Sequence, residues 1–200
     1  MRSGCDNGRS ARAGAVSATG GARRAALRPR GRSACRPPRW AAAEVNRQHG
    51  VVSKFAGDAV MATFNATGTR IDHAREALEA ALALSGKAAL LELGVGIGIS
   101  VGPAVIGAKK ADADILVLGG DTNLAARLQT AAKAGEIVLS DEAHRRVAAW
   151  LKEHGLEAMR EPLELKGFDG AQPAWRLRAG AKPPEQIARS MSSDSRGDGP

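Results

Sequence analysis

The order of predicted strands and helices after Val51 constrains the fold of this chain more than any other feature of its sequence. Two short β runs at residues 51–55 and 59–64 flank the turn Ala-Gly-Asp at 56–58, which predicts a hairpin with a carboxylate at its tip. A long helix is predicted at residues 72–91, because small and apolar side chains recur on one of its faces. A hairpin followed by a crossover helix predicts an α+β domain.

Further strands and helices follow this first unit. Residues 94–101 alternate glycine with valine or isoleucine, which is typical of a strand against which another backbone packs closely. Helices are predicted near residues 121–134 and 141–154, and weak strands near 157–165 and 174–177. This order indicates a ferredoxin-like βαββαβ-type fold, with a mostly antiparallel sheet and helices packed on it.

The first strand of such a core has no counterpart in the sequence. A βαββαβ core opens with a strand and a helix, and only the end of that helix can be identified, at residues 41–49. Residues 1–40 are rich in Arg, Ala, Gly and Ser and show no apolar period, so they are predicted to be a disordered tail. The domain is therefore expected at residues 41–178, with its first strand missing or degenerate, followed by a disordered tail at 179–200.

Positive charge is concentrated in the first forty residues. They contain ten arginines and one acid, so they account for the whole net charge of +8, and the rest of the chain is close to neutral. This distribution argues against a nucleic-acid-binding domain. Three interpretations of the tail stay open: an Arg-rich arm that contacts RNA or acidic lipid, a transit peptide, or residues without evolved structure, as after a misassigned start or a frame error.

Neither a membrane segment nor a secretory signal is apparent in the sequence. No apolar run approaches the ~20 residues of a membrane span, and the first residues lack a signal-peptide pattern. The two cysteines, Cys5 and Cys35, have neither metal-binding nor disulfide-framework spacing. The sequence therefore predicts a cytoplasmic protein.

Five polar residues on predicted turns, strands and helix faces are candidates for a functional site. Asp58 follows a glycine at the hairpin tip, where a carboxylate can bind a hard cation, and Lys54 precedes it on the strand. Asn123 and Arg127 are four residues apart on a predicted helix, so they can reach one ligand together and suit ribose and phosphate contacts. Lys166, in a predicted turn, adds a further phosphate contact. Taken singly, each of these residues is as well explained as an ordinary surface residue.

The combination of segments is more specific than any single residue. Residues 45–177 resemble class III adenylate/guanylate cyclases in order, spacing and residue type, through the strings KFAGDAVMATF, LGVGIGISVGPAVIG, GGDTNLAARLQTAAKAGEIVLSDEA and LELKGFDGAQPAWRL. The resemblance implies conversion of a nucleoside triphosphate to a 3′,5′-cyclic nucleotide and pyrophosphate. It also implies two divalent ions, Mg²⁺ or Mn²⁺, held by two aspartates, with composite sites formed in a head-to-tail dimer.

The resemblance assigns a role to each candidate residue. Asp58 matches the second metal aspartate, and Lys54 matches the residue that reads the base, where lysine goes with adenine and glutamate with guanine. Asn123 matches the residue that orients the ribose, Arg127 the arginine that stabilises charge on the α-phosphate, and Lys166 a triphosphate-binding lysine. A lysine can donate to N1 of adenine, whereas N1 of guanine is itself a donor, so ATP is the expected substrate.

Two positions depart from the family pattern. The first-strand aspartate, in a motif like F-x-D-I-x-G-F-T, is absent, so one of the two metal carboxylates is missing. Leu116 stands where the family usually places Asp or Thr to help select the base. The leading hypothesis is therefore an adenylate-type cyclase domain with impaired activity, acting on ATP in a homodimer or heterodimer. The alternative is a non-catalytic pseudo-cyclase that dimerises with an intact protomer.

Overall fold

The computed structural model describes residues 9–20, 39–56, 59–66, 72–108 and 115–179. These residues form eight strands and four helices. In chain order the elements are β1 (Arg9–Gly20), α1 (Arg39–Arg47), β2 (Gly50–Ala56), β3 (Ala59–Phe64), α2 (His73–Leu90), β4 (Val95–Ala108), β5 (Ile115–Leu118), α3 (Gly120–Ala131), β6 (Glu136–Ser140), α4 (Asp141–Glu153), β7 (Ala158–Glu164) and β8 (Ala171–Arg178).

The strands belong to one sheet in the order β2-β3-β1-β4-β6-β8-β7, with β5 paired to β4 off this path. Neighbouring strands of the described residues are antiparallel, apart from the parallel pair β4 and β6. The predicted hairpin is β2 with β3, and the long predicted helix is α2. The expectation of an α+β domain with a mostly antiparallel sheet and helices packed on it is confirmed.

A strand occupies the centre of the sheet where the sequence predicted none. β1 pairs with β3 on one side and with β4 on the other, so that Gly14 lies opposite both Phe64 and Val101. The prediction of a disordered tail over residues 1–40 is therefore wrong for residues 9–20, and the first strand is degenerate rather than missing. The sequence of β1, RSARAGAVSATG, has no alternating apolar pattern, but all of it pairs with β4, and Gly14 to Thr19 pair with β3 as well, which satisfies much of its backbone hydrogen bonding.

Other parts of the predicted tails lie outside the described residues. These are residues 1–8, 21–38 and 180–200, which include both cysteines, so disorder there stays a prediction. The last two residues of the predicted N-terminal tail belong to α1, which begins at Arg39. Among the helices that the structure describes, none combines the length and the apolar character needed to cross a membrane.

The main hydrophobic core lies on one face of the sheet, beneath α1, α2 and α4. Phe64 of β3 and Ile97 and Ile99 of β4 are fully buried there. Buried charge connects two of the covering helices, because the Glu44 carboxylate lies 3.0 Å from Lys87 Nζ and 2.8 Å from an Arg47 guanidinium nitrogen. Its side chain is only 2% exposed, so these two cations are what make its burial tolerable.

The opposite face of the sheet carries α3, which packs closely on β4. A Cβ added at Gly96 would lie 2.7 Å from the carbonyl oxygen of Ala132, and one added at Gly98 would collide with the backbone of Ala125 and Gln129. The alternating glycines therefore let the helix backbone lie directly against the strand, as their pattern predicted. This contact fixes the position of α3 relative to the sheet.

Candidate functional site

α3 presents Asn123 and Arg127 to solvent. Its buried residues Ala125 and Leu128 face the sheet, whereas Asn123 and Arg127, one helical turn apart, are both exposed. Within the described part of the chain neither side chain has a hydrogen-bond or ion-pair partner. The shared face expected from their spacing is observed, and the guanidinium is available to an anionic ligand.

Lys166 lies in the turn that joins β7 to β8, and its side chain is exposed. Gly167, the next residue, has a φ of 88°, a left-handed conformation that favours glycine. Leu165, the preceding residue, is buried in the same small cluster as Leu128, the neighbour of Arg127 on α3. One packing cluster therefore anchors both Arg127 and Lys166 on the α3 side of the sheet.

Lys54 lies on β2, with an exposed side chain, directly opposite Met61 of β3. Ala56, the last residue of β2, pairs with Ala59, the first residue of β3. Asp58 lies outside the described residues, so its role as a metal ligand stays a prediction. The hairpin that the sequence predicted is nevertheless formed, with Lys54 on the strand that leads into the turn.

The end of β1 lies beside this hairpin end. Thr19 pairs with Ala59 of β3 and with Gly96 of β4, and Gly20 pairs with Val95. The sequence of β1 contains neither Asp nor Glu, and the described residues contain no cluster of three or more His, Cys, Asp or Glu side chains. At this end of β1 the described residues therefore supply no second carboxylate for the two-aspartate site that the resemblance implies.

Leu116 lies on β5, opposite Gly107 of β4. The chain passes from β5 into α3 through Gly119, and a Cβ added there would lie 2.8 Å from the carbonyl oxygen of Pro103. The strand that carries Leu116 and the helix that carries Asn123 are therefore joined by a tightly packed turn. The base-selecting and ribose-orienting positions of the resemblance lie on consecutive elements.

Asp121 is a charged residue near the site that sequence reasoning treated only as the start of a helix. It lies in the first turn of α3, so close to Gly102 that any side chain at Gly102 would collide with its carboxylate. The Ser100 hydroxyl donates a hydrogen bond to the backbone carbonyl of Asp121. Burial raises the pKa of the Asp121 carboxyl, although its own backbone N–H opposes that shift. Ser100 and Gly102 thus hold the turn of α3 that contains Asn123.

Comparison with known proteins identifies the family to which this arrangement of residues belongs. The sequence profile described as "Adenylate and Guanylate cyclase catalytic domain" matches residues 44–178. This chain belongs to that cyclase family. The match begins after β1, so the degenerate strand lies outside it. The family resemblance stated from the sequence is confirmed.

Solved cyclase structures share the fold of this cyclase domain. The adenylyl cyclase CyaB of P. aeruginosa superposes with a TM-score of 0.68 at 20% identity, covering 84% of this chain and 94% of that one. The guanylate cyclase domain of RhGC from Catenaria anguillulae, in complex with GTP, gives a TM-score of 0.68 at 18% identity, covering 84% and 97%. At these identities the likeness establishes the fold and does not distinguish adenylate from guanylate specificity.

Curated mycobacterial relatives are closer in sequence. An uncharacterized protein of Mycobacterium tuberculosis strain CDC 1551 is 36% identical over 152 residues, which cover 72% of this chain and 26% of the relative. An uncharacterized protein of Mycobacterium bovis is 37% identical over 134 residues, covering 63% and 24%. The cyclase domain therefore spans about a quarter of the length of the curated relatives that it matches.

Proposed function

We propose that this cyclase domain is of the adenylate type, contributing to conversion of ATP to 3′,5′-cyclic AMP and pyrophosphate in cyclic-nucleotide signalling in the cytoplasm, and that it is nearly inactive when paired with itself. One observation carries the proposal. β1 holds the central position of the sheet beside the hairpin end, yet contains no carboxylate, while the α3 side retains Asn123, Arg127 and Lys166.

Lys54 supports adenine as the base. Its ammonium group, exposed on β2, has only donors, and N1 of adenine is an acceptor, whereas N1 of guanine carries a proton. Leu116 offers the base no side-chain hydrogen bond, so discrimination depends on Lys54. The proposed preference is therefore for ATP, and it rests on one donor.

Arg127 and Lys166 support binding of the triphosphate. Both cations are exposed, and neither is neutralised by a carboxylate of the described residues. The planar guanidinium can donate two parallel hydrogen bonds to phosphate oxygens, and stabilises the charge that develops on the α-phosphate. Asn123, one turn earlier on the same helix face, is the residue that we propose orients the ribose.

This cyclase domain lacks one of the two metal-binding carboxylates that the family resemblance implies. Mg²⁺ or Mn²⁺ supplies Lewis-acid assistance in the family's chemistry when bound. This chain has Asp58 for such an ion, but the neighbouring end of β1 holds Thr19 and Gly20 in place of a second carboxylate. A composite site made from two copies of this chain would therefore lack one metal ligand.

Assay of the 200-residue chain alone with Mn²⁺ and ATP tests the inactivity. We expect cyclic AMP formation close to the background without protein, at protein concentrations that favour self-pairing. Robust turnover by the purified chain would contradict the proposal. GTP assayed in parallel reveals any guanylate activity, which would overturn the adenylate assignment separately.

A second candidate function is that of a pseudo-cyclase partner. The same observation favours it, since a partner with an intact first strand supplies the missing aspartate while this chain supplies Asn123 and Arg127. We call this combination the mixed pair: this chain together with a homologue whose own Asn and Arg counterparts are substituted. Cyclic AMP formation by the mixed pair, when neither component is active alone, is the expected result. Absence of rescue would exclude a catalytic contribution by this chain.

A further inference from the structure

The hairpin strand β2 contains an irregularity just before Lys54. Val52 pairs with Ala62 of β3, but Lys54 pairs with Met61, so two steps along β2 correspond to one step along β3. Ser53 is therefore an extra residue, as in a β-bulge. Bulges of this kind change the direction in which the following side chain points.

The extra residue changes the face of the sheet to which Lys54 belongs. Val52 and its partner Ala62 pack on the main core face. In a regular strand, residues two positions apart share a face, so Lys54 would lie opposite buried Val60 and point into that core. With Ser53 inserted, Lys54 lies opposite Met61, which is outside the core cluster, and its side chain is exposed.

Ser53 itself holds the irregularity in place. Its side chain is buried, with 5% of the residue exposed, and its Oγ donates a hydrogen bond to the carbonyl oxygen of Met61 at 3.1 Å. Met61 is the residue that faces Lys54 across the hairpin, so the bond ties the extra residue to the position where the register shifts. A buried hydroxyl that loses its only hydrogen-bond partner destabilises the folded state. The Ser53 hydrogen bond therefore favours the observed register over registers shifted by one residue.

We propose that Ser53 is a positioning residue for base recognition: its hydroxyl fixes the register shift that keeps the Lys54 ammonium on the open face of the hairpin. The consequence for adenine rests on the proposed role of Lys54 in reading the base. The effect on the register stands independently of it. Ser53 carries no role in either the resemblance or the family match.

The register is tested by measuring how readily Lys54 is acetylated in the folded full chain. An amine-reactive reagent is applied at limiting concentration, and mass spectrometry gives labelling of Lys54 relative to Lys166, an exposed lysine of the same chain. We expect Ser53→Val to lower this ratio about fivefold or more, and Ser53→Thr, which matches valine in shape but retains a hydroxyl, to preserve it. An unchanged ratio in folded Ser53→Val would overturn the proposal. Should that variant fail to fold, Ser53→Ala, which removes only the hydroxyl, decides by the same criterion.

Base recognition is tested separately with the mixed pair. Competition of ATP and GTP against a fluorescent ATP analogue gives the ratio of the two affinities, and inorganic triphosphate gives a reference without a base. We expect Ser53→Val to reduce the ATP preference about fivefold while leaving the triphosphate affinity unchanged, with Ser53→Thr restoring the preference. If Ser53→Val lowers the affinities for ATP, GTP and inorganic triphosphate equally, the role of Ser53 is merely structural and the positioning assignment is overturned. If Lys54→Ala leaves the preference unchanged, the proposed base-reading function fails, whereas the labelling result still decides the register.

Discussion

The region around α3 and the region around β1 are neighbours in one domain. They differ in how many of the residues to which the family resemblance assigns a role they contain. Around α3, the glycines of β4, the Ser100 hydroxyl and the Leu128 cluster hold a helix whose Asn123 and Arg127 are exposed. β1 pairs with β4 along its whole length and with β3 from Gly14 to Thr19, but no carboxylate is present at its end beside the hairpin. A strand can thus hold a central place in a sheet without containing the carboxylate that the family resemblance implies there.

The largest expected effect comes from removing the cation of the α3 region. Arg127→Ala should lower cyclic AMP formation by the mixed pair about 10²- to 10³-fold, because a preorganised donor to the developing charge is lost. Stability should change little, since the side chain is exposed and has no ion-pair partner among the described residues. The measurement is the turnover rate at saturating Mn²⁺-ATP.

Arg145→Ala is the control for the loss of a surface arginine. Arg145 is exposed on α4, where it pairs with Asp141 and Glu142 of its own helix. We expect the turnover rate of the mixed pair to stay within about twofold. Equal activity of the Arg127 and Arg145 variants would show that α3 does not contribute to the active composite site.

The close contact between β4 and α3 gives the next prediction. Gly98→Val should lower the free energy of unfolding by about 3 kcal/mol, because the new side chain collides with the backbone of Ala125 and Gln129. Denaturant titration followed by circular dichroism measures the change. Gly120→Ala, in the first turn of the same helix, meets nothing within 4 Å and should leave stability equal or slightly higher. A tolerated valine at Gly98 would mean that the glycines do not set the position of α3.

The β1 region is tested by introducing a carboxylate. Thr19 pairs with Ala59, the residue that follows Asp58 in the sequence, so an aspartate at position 19 would lie opposite the sequence neighbour of Asp58. Thr19→Asp should raise cyclic AMP formation by the chain alone at least about tenfold over wild type with Mn²⁺, since two carboxylates bind a divalent ion better than one. Thr19→Asn, equal in size but uncharged, should give no gain. Background activity from a folded Thr19→Asp chain would show that the defect of this region is more than one missing ligand.

These predictions separate what local sequence can reveal from what it cannot. The hairpin and α3 were predictable because a Gly-Asp turn, alternating glycines and the four-residue spacing of Asn123 and Arg127 are local signals. β1 was not, because RSARAGAVSATG has no strand pattern, and its position depends on pairing with residues forty or more positions away. The shift at Ser53 was missed for the same reason, since register is defined only against the partner strand.

The strand pair β6 and β8, on the other side of β4 from β1, gives the smallest expected effect, through a titratable group. Glu136 of β6 is buried and forms ion pairs with Arg176 and Arg178 of β8, and its Oε2 accepts a hydrogen bond from the backbone N–H of Lys133 at 3.0 Å. Burial alone would raise the pKa of this carboxyl, but the Lys133 N–H and the Arg176 guanidinium outweigh it, and the pKa falls below its ordinary value of 4.5. The folded state therefore favours the ionised form more than the unfolded state does.

Linkage fixes the direction of the resulting pH dependence. Because the folded pKa of Glu136 is the lower one, its contribution to stability is present above pH 4.5 and is lost as the pH falls through the folded value. Glu136→Gln should lower the free energy of unfolding by about 1 kcal/mol at pH 7, and by less at pH 3.5, as followed by denaturant titration. Glu164→Gln, at an exposed position of β7, should stay within about 0.5 kcal/mol at both pH values. A loss that is the same at pH 7 and pH 3.5 would mean that packing, not charge, is what Glu136 contributes to this part of the sheet.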